Sequence, residues 1–483
     1  MSFLQPEFIG FVVALVLVYW AVPSRRAQNG LLLVASYVFY GWMSPRLCLL
    51  LASVTGANYL AGLVMERFPA RRGPVLGAVV VASVLNLVWF KYFGWFASEL
   101  IPRFTSPEQA SAIAAWKLAL PLGLSFYTFH NLAYSIDVYR EKVHVRRDPV
   151  DYFLYGSWFP QLVAGPVERP QNVLPQLEAP RRFSVDLLTS GLGLALWGAF
   201  KKMALADTIS PFVDTIFNTA DPSWGMIWSA ALGFTIQALA DFSGYTDIAR
   251  GVSRMFGIEL MKNFDHPYMA ATPMEFWQRW HMSFSTWLRD YIYVPACFSE
   301  GVRRWLTVPG TGDWGPFGTT SRALLITMLV SGIWHGSTWN FIAWGFYYFC
   351  IGTAYAAIVA RIPRKMKKQG AWRWFTVPVM FGFTLLGMHI FREPSLATLG
   401  EHLLLNPFVG TREQWIVTTA MLGLCAYAAV PLVLAMLAGR FALPRVRGTW
   451  AWPALQTTFW AFCAVAAFSS VATSEAAFIY FRF

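Results

Sequence analysis

The stretch FWQRWHMSFSTWLRDYIYVP, from Phe276 to Pro295, mixes residue types that neither a soluble surface helix nor a lipid-facing helix combines. It carries three tryptophans, two arginines, an aspartate and, near its centre, His281. Ionisable residues are costly inside a membrane and are therefore candidates for function. The large aromatic residues recur at intervals of three and four, which predicts one helix with an aromatic face. They are Trp277, Trp280, Phe284 and Trp287.

The chain around this stretch has the composition of a polytopic membrane protein. Of its 483 residues, 56% are hydrophobic and only 13% are charged, whereas soluble domains have roughly 25% charged residues. We predict an all-α fold of about 10–13 transmembrane or re-entrant helices around a central cavity, formed by residues 1–483 as a single domain. The apolar runs behind this prediction are Phe8–Val22, Gly30–Trp42, Leu47–Val64, Pro74–Phe96, Trp374–Ile390, Gln414–Leu437 and Trp452–Val471.

The net charge of +12 reflects short basic loops and does not indicate nucleic-acid binding. By the positive-inside rule these loops are cytoplasmic and the N-terminus lies outside the cytoplasm. The start, MSFLQPEF, has no basic segment, so we expect the first span to be retained. The densest basic segment, RIPRKMKK from Arg361 to Lys368, is typical of a topology anchor; a specific lipid or partner site is the alternative.

The middle of the chain, about residues 118–348, differs from the plain apolar ends. It is rich in Trp, Tyr, His, Asp and Arg and is broken by Pro and Gly. Irregular backbone at membrane depth is tolerated only inside protein or beside a wet cavity, so we place the catalytic core here. No fixed-period repeat is visible, which disfavours an inverted-repeat transporter. GTGDWG, residues Gly310–Gly315, matches a dinucleotide fingerprint only formally and is interpreted as a turn.

Two of the seven histidines stand out. His281 lies in the opening stretch, and His335 lies in LVSGIWHGSTWNFIAWGFYY, next to Gly336. Imidazole is the usual side chain for taking a proton near neutral pH, so either can be a general base; a hydrogen-bonded core role is the alternative. We expect structural roles for the others, which are His130, His144, His266, His389 and His402.

Other catalytic patterns are missing from the sequence. There is no HExxH motif or His/Cys cluster, so we predict no metal site, and the five scattered cysteines suggest neither a disulfide framework nor a metal site. There is no G-x-S-x-G nucleophile elbow either. A histidine acting as general base on a hydroxyl is the chemistry that remains.

Four stretches together resemble the membrane-bound O-acyltransferase family. They are FPQLVAGPVERP, DFSGYTDIARGVSRMFGI, NFDHPYMAATPMEFWQRWHMSFSTWLRDYIYVP and GIWHGSTWNFIAWGFYY. The resemblance covers most of the chain and is closest to the bacterial branch that includes alginate O-acetyltransferases. One departure follows the long motif, where YVPACFSEGVRR stands in place of the Gly-Gly-Asn-Arg turn common in alginate-type relatives. This departure affects the identity of the acceptor or partner and leaves the two histidines untouched.

The resemblance implies an acyltransferase that uses a cytoplasmic acyl thioester, most simply acetyl-CoA, and holds no bound cofactor. It implies that His335 is the catalytic base and that His281 orients the acyl carbonyl or shuttles the proton. We expect cavity-lining roles for Asp241, Tyr245, Arg289, Asp290, Trp334 and Asn340, with Asp247 and Arg279 as weaker candidates. An ion pair between Asp290 and a core arginine is an equally good structural explanation for that aspartate.

The C-terminal sequence FIYFRF, residues 478–483, resembles the tail of the small partner protein of teichoic-acid D-alanyl transferases. In this comparison Tyr480 is a covalent acyl relay; an interfacial aromatic anchor is the alternative.

The resemblance further implies a multi-pass protein of the bacterial inner membrane. It implies that an SGNH-type partner outside the cytoplasm completes O-acetylation of an alginate- or cellulose-like polysaccharide. Peptidoglycan or teichoic acid is the alternative acceptor. A proton-coupled transporter or flippase is the alternative from another class, and a non-catalytic export scaffold is a third.

Overall fold

A computed structural model describes the chain as helices joined by loops, with no β-strand among the residues it describes. This confirms the predicted all-α class. The described residues are all except 1–2, 4, 43, 98–100, 107, 110–120, 164, 299, 301–314, 362–369, 447 and 471–483. Tyr480, most of GTGDWG and most of RIPRKMKK therefore lie outside the described residues.

The first of two compact units comprises Met1–Ala195 and Thr246–Met261. Proline occupies the first turn of several of its helices, where the missing N–H group costs nothing. Its helices are α1 (Pro6–Ala21), α2 (Arg25–Gly41), α3 (Pro45–Arg67), α4 (Arg72–Trp95), α5 (Leu124–Tyr139), α6 (Pro149–Ser157), α7 (Phe159–Leu162), α8 (Pro170–Glu178) and most of α9 (Val185–Ala199).

Side-chain hydrogen bonds satisfy several of the buried polar groups of this first unit. Tyr152 donates its hydroxyl to Oδ1 of Asn131 at 2.9 Å. Trp158 donates its indole N–H to the hydroxyl of Ser253 at 2.9 Å. His130 Nε2 lies 3.3 Å from the carbonyl oxygen of Pro166. His130 is thus buried and within hydrogen-bond distance of a backbone carbonyl, which fits the structural role predicted for it.

The second unit comprises Leu196–Tyr245 and Lys262–Phe483 and contains both histidines singled out above. Its helices are α10 (Asp207–Phe217), the first part of α11 (Trp224–Met255), α12 (Pro273–Trp277), α13 (Met282–Leu288), α14 (Val294–Phe298), α15 (Gly315–His335), α16 (Trp339–Arg361), α17 (Gly370–Arg392), α18 (Leu396–Leu403), α19 (Arg412–Leu437), α20 (Leu443–Val446) and α21 (Trp452–Ser469). Three π-helical segments, Phe200–Ala206, Arg289–Tyr293 and Ala438–Ala442, adjoin them.

Five of the described helical segments are long and apolar enough to cross a bilayer. Each reaches the length of about 20 residues that a span needs. Four of them correspond to apolar runs in the sequence and differ from those runs only at their ends, whereas Trp339–Val359 was not among the predicted runs. The runs Phe8–Val22, Gly30–Trp42 and Trp452–Val471 are not among the five. The five segments are Pro45–Arg67, Pro69–Trp95, Trp339–Val359, Trp372–Arg392 and Arg412–Val446.

Close backbone approach joins α15 to α16 in the second unit. A Cβ atom added to Gly332 would lie 2.2 Å from the carbonyl oxygen of Phe341, and one added to Gly345 would lie 2.3 Å from that of Met328. Only glycine fits at such contacts. This hairpin fixes the backbone on both sides of His335.

The prediction of one continuous helix through the opening stretch is wrong. Helix α12 ends at Trp277 and α13 begins at Met282. Between them His281 has a φ angle of +44°, in the left-handed region that a right-handed helix cannot contain. Trp277 consequently ends one short helix, Phe284 and Trp287 lie on the next, and Trp280 and His281 lie in the turn between them.

Candidate active site

The turn at His281 is held by Asn263. The backbone carbonyl of Asn263 accepts from the N–H of Met282 at 2.9 Å, and its side-chain Oδ1 accepts from the hydroxyl of Ser283 at 2.9 Å. Oδ1 also lies 3.0 Å from Nδ1 of His281. Asn263 therefore supplies both the partner that orients the imidazole and acceptors for the first turn of α13.

This contact fixes the state of the His281 ring. Because an amide oxygen can only accept, Nδ1 of His281 carries the proton and the neutral ring has its lone pair on Nε2. Burial favours the neutral ring of His281, since a buried cation loses its hydration. His281 is 1% exposed. The ring is thus a neutral, fixed group with one nitrogen that can accept a proton or a hydrogen bond.

His335 is the last residue of α15 and is less deeply buried than His281. Its ring lies edge-on to Trp344, with centroids 5.0 Å apart, and edge-on to Phe391, with centroids 5.1 Å apart. The carbonyl end of a helix favours positive charge beside it. The position therefore suits an imidazole that becomes a cation when it takes a proton.

An aromatic pair links the two histidines. Phe284 and Trp334 pack with ring centroids 4.2 Å apart. His281 lies 5.0 Å from Phe284, and His335 lies 4.7 Å from Trp334. Fixed rings of this size determine where neighbouring side chains can lie. The two motifs that stood out in the sequence therefore meet at one site.

The first half of the opening stretch also reaches this site. Trp277 packs against Trp344 and Tyr348 of α16, at centroid distances of 5.9 and 5.0 Å. Trp344 in turn contacts His335. The aromatic content of the stretch thus serves to pack it on the helix that follows His335.

Gly336 is required by the same packing. A Cβ atom at this position would lie 2.0 Å from Cε2 of Phe341, far inside van der Waals contact. We expect Gly336→Ala to lower the free energy of unfolding by about 1–3 kcal/mol, measured by denaturation in detergent micelles. Gly382→Ala in α17 is the control, because nothing lies within 4 Å of its added Cβ. Equal effects of the two substitutions would contradict this account of Gly336.

Asp241 lies in a buried ion-pair cluster. Lys202 Nζ lies 2.7 Å from Oδ1 of Asp241 and 2.6 Å from Oδ1 of Asp207. The side chains of Lys202 and Asp241 are 4% and 3% exposed. Gly244 allows this approach, since a Cβ there would lie 2.9 Å from the backbone nitrogen of Lys202. Asp241 is thus held by a lysine that the sequence analysis did not select.

The remaining predicted site residues are placed differently from one another. Tyr245 is buried in α11 and Trp334 in α15. Asn340 is buried and donates its amide to the backbone carbonyl of Glu393 at 2.8 Å. Arg289 is exposed and pairs with its neighbour Asp290, with Nε and Oδ1 2.7 Å apart. A surface arginine, Arg289, is therefore one ion-pair partner of Asp290.

The two weaker candidates form local ion pairs. Asp247 pairs with Arg250 at 3.2 Å, and Arg279 pairs with Glu275 at 2.9 Å. Arg279 also donates to the backbone carbonyl of Asp265 at 3.0 Å. These pairs stabilise local backbone.

Asn263 and Phe284, which contact His281, and Lys202, which pairs with Asp241, were not predicted from the sequence in these roles. Lys202 lies in the apolar run FKKMALA, where a lysine is itself unusual. That rarity was the available signal. Asn263 and Phe284 belong to the long motif but carry no chemistry that sets them apart before the fold is known.

An all-helical membrane core with two histidines on one aromatic pair is suited to proton transfer in a site that excludes water. The family model described as MBOAT, membrane-bound O-acyltransferase family, matches residues 62–311, which include His281 and end before His335. The chain belongs to this family and is an acyltransferase, which confirms the resemblance seen in the sequence.

The names of the relatives refer to three different polymers, which are alginate, peptidoglycan and teichoic acid. The chain is 37% identical over 404 residues to the probable alginate O-acetylase AlgI of Azotobacter vinelandii, covering 82% of this chain and 76% of that protein. It is 29% identical to the peptidoglycan O-acetyltransferase of Helicobacter pylori, covering 82% and 76%. It is 25% identical to the teichoic acid D-alanyltransferase of Bacillus subtilis, covering 74% and 88%.

Proposed function

We propose that the chain takes acetyl from acetyl-CoA at the cytoplasmic face of the bacterial inner membrane for O-acetylation of an extracytoplasmic, alginate- or cellulose-like polysaccharide. The observation that carries this proposal is the meeting of His281 and His335 on the Phe284–Trp334 pair. Relatives named alginate O-acetylases, with identities from 33% to 37%, support the choice of acetyl and of polysaccharide.

In this mechanism His335 is the general base. It takes the proton of an acceptor hydroxyl, whose oxygen attacks the carbonyl carbon of the thioester. The C–O bond forms, the C–S bond breaks, and the thiolate leaves and takes up the proton from His335. His281, neutral and oriented by Asn263, orients the acyl carbonyl or passes on the proton. A thioester is already activated, so positioning and proton transfer supply most of the catalysis.

The acceptor in this scheme lies on the far side of the membrane, with the N-terminus outside the cytoplasm as the basic loops indicate. The chain passes the acetyl group to an SGNH-type partner, which modifies the glycan together with the polysaccharide machinery. Arg289, Asp290, Asp241, Tyr245, Trp334 and Asn340 are proposed to shape the site directly or through their neighbours.

Peptidoglycan or teichoic acid is the second candidate acceptor, favoured by the relatives that carry those names. The experiment is to delete the encoding gene and measure ester-linked acetate separately in exopolysaccharide and in the cell wall, and ester-linked D-alanine in teichoic acid. Loss of acetate from exopolysaccharide alone, restored by the intact gene, is the expected result. Loss of acetate from the cell wall alone would contradict the choice of exopolysaccharide as the acceptor. No change in any of these polymers would show that none of them receives the acyl group.

Tyr480 is proposed to carry the acyl group as an ester during transfer. Tyr480→Phe keeps the aromatic ring and removes the hydroxyl nucleophile, so we expect it to abolish acetylation and the added mass of 42 Da, one acetyl group by its composition, at the C-terminal peptide. Mass spectrometry of protein incubated with acetyl-CoA measures the label. The double variant Tyr480→Phe/Phe481→Tyr moves the hydroxyl to the next residue and tests whether its position matters. Full activity of Tyr480→Phe would leave the residue as an interfacial anchor only.

A further inference from the structure

A second group of chemically active side chains lies at the end of α17, apart from the proposed catalytic residues. His389 and Glu393 are four residues apart and therefore share one face of the chain as it leaves the helix. Helix α18 brings back His402. Glu393 Oε1 lies 2.7 Å from Nε2 of His389 and 2.6 Å from Nδ1 of His402.

This cluster is buried and the carboxylate has spare capacity. The side chains of His389 and Glu393 are 0% exposed and that of His402 is 7% exposed. Among the described residues, Oε2 of Glu393 has no hydrogen-bond partner. A buried carboxylate oxygen without a partner is costly. A bound cation would satisfy it.

The nearby charges leave room for a cation. Arg392 is paired with Asp214 at 2.8 Å, so this pair adds no net charge. With both imidazoles neutral, the cluster carries the single negative charge of Glu393. Two imidazole nitrogens and one carboxylate form a donor set that divalent zinc and related first-row metals bind readily.

We propose that His389, Glu393 and His402 form a binding site for a divalent transition metal, with Zn²⁺ as the representative ion. One ligand atom from each residue lies within 4.8 Å of the other two. In a tetrahedral site with bonds of about 2.0–2.1 Å, ligand atoms lie about 3.3 Å apart. The two distances from Oε1 must therefore lengthen by about 0.6–0.7 Å, and the two histidine nitrogens must also come to about 3.3 Å from each other. A fourth position stays open for Oε2 or water.

The proposed role of this ion is to stabilise the hairpin of α15 and α16, which contains His335. Asn340, at the start of α16, donates to the backbone carbonyl of Glu393. Phe391, which lies between His389 and Glu393 in the chain, packs against His335 with centroids 5.1 Å apart. Metal binding would therefore fix the chain segment that touches both ends of the turn following His335.

The test is the metal content of full-length protein. The chain is expressed with added zinc, purified in detergent through a tag without histidine, and analysed by mass spectrometry for metals. We expect about one zinc per chain for wild type and at least a fivefold lower ratio for His389→Ala/His402→Ala. His144→Ala is the control, because this exposed loop histidine lies outside the cluster, and it should retain the wild-type ratio.

Wild-type protein also gives a test that needs no variant to fold. Replacing zinc with Co²⁺ should produce visible absorption bands of a low-coordinate nitrogen and oxygen site, and zinc should remove them. Wild type without stoichiometric metal, even after incubation with zinc, would show that the cluster shares protons only and would overturn the proposal. Equal zinc in wild type and in the folded double variant would place the ion elsewhere and would also overturn it. No acyl donor is used, so the result is independent of the proposed function.

Discussion

His335→Ala is expected to reduce acyl transfer by about 10²–10⁴-fold, the usual contribution of a general base. The imidazole at the end of α15 is the proposed acceptor of the hydroxyl proton, and no aliphatic side chain replaces it. The measurement is ester-linked acetate per unit of membrane protein in cells that carry the variant in place of the wild-type gene. The amount of the His335→Ala protein in the membrane should equal that of the wild-type protein.

His335→Gln separates chemistry from packing. Glutamine can hydrogen-bond and fills part of the space beside Trp344 and Phe391, but it cannot act as a base near neutral pH. It should therefore be as inactive as alanine and closer to wild type in thermal unfolding. His144→Ala, in an exposed loop, should be fully active. Substantial activity of His335→Gln would assign the proton transfer to another group.

Lys202→Met is expected to cost about 3–5 kcal/mol of unfolding free energy, the usual effect of removing one partner from a buried ion pair. The substitution removes the cation shared by Asp207 and Asp241, so the two carboxylates repel each other. In the protein core little water is available to stabilise their charges. Denaturation in mixed detergent micelles, followed by tryptophan fluorescence, measures the change. Acyl transfer should fall with the loss of folded protein.

Two variants make this prediction specific. Lys262→Met breaks the pair of Lys262 with Asp265, whose side chains are 50% and 41% exposed, and should cost only about 0–1 kcal/mol. Lys202→Met/Asp207→Asn/Asp241→Asn removes all three charges and should recover much of the stability lost in the single variant. A single variant as stable as Lys262→Met would contradict the importance of the buried cluster.

The sequence predicted the class of fold because spans are marked by composition alone. Apolar runs such as Pro74–Phe96 correspond closely to helices such as α4 (Arg72–Trp95). Backbone hydrogen bonds must be satisfied within each segment in lipid, so a long apolar run has few alternatives to a helix.

The break at His281 could not be predicted in the same way. Aromatic spacing of three and four favours one helix, yet the left-handed residue and the hydrogen bonds from Asn263 interrupt it. These depend on contacts across 18 residues of sequence. Tertiary contacts decided the conformation against the local pattern.

The clusters formed by residues distant in the chain could likewise not be predicted from the sequence. Lys202 meets Asp241 only because α11 packs closely at Gly244. His389, Glu393 and His402 match no spacing motif for metals, because His402 returns to the cluster on a separate helix, α18. The family resemblance identified the two proposed catalytic histidines, and the fold supplied their neighbours.

Release of CoA thiol from acetyl-CoA tests the central claim most directly. The assay contains purified wild-type protein in lipid vesicles, a short polysaccharide as the acceptor, and a membrane extract that contains the partner. Wild-type protein should release thiol in proportion to the acetate that becomes bound to the glycan. His335→Gln in the same preparation should lower both products by at least about 100-fold. Thiol release and glycan acetylation by His335→Gln at the wild-type rate would contradict the account.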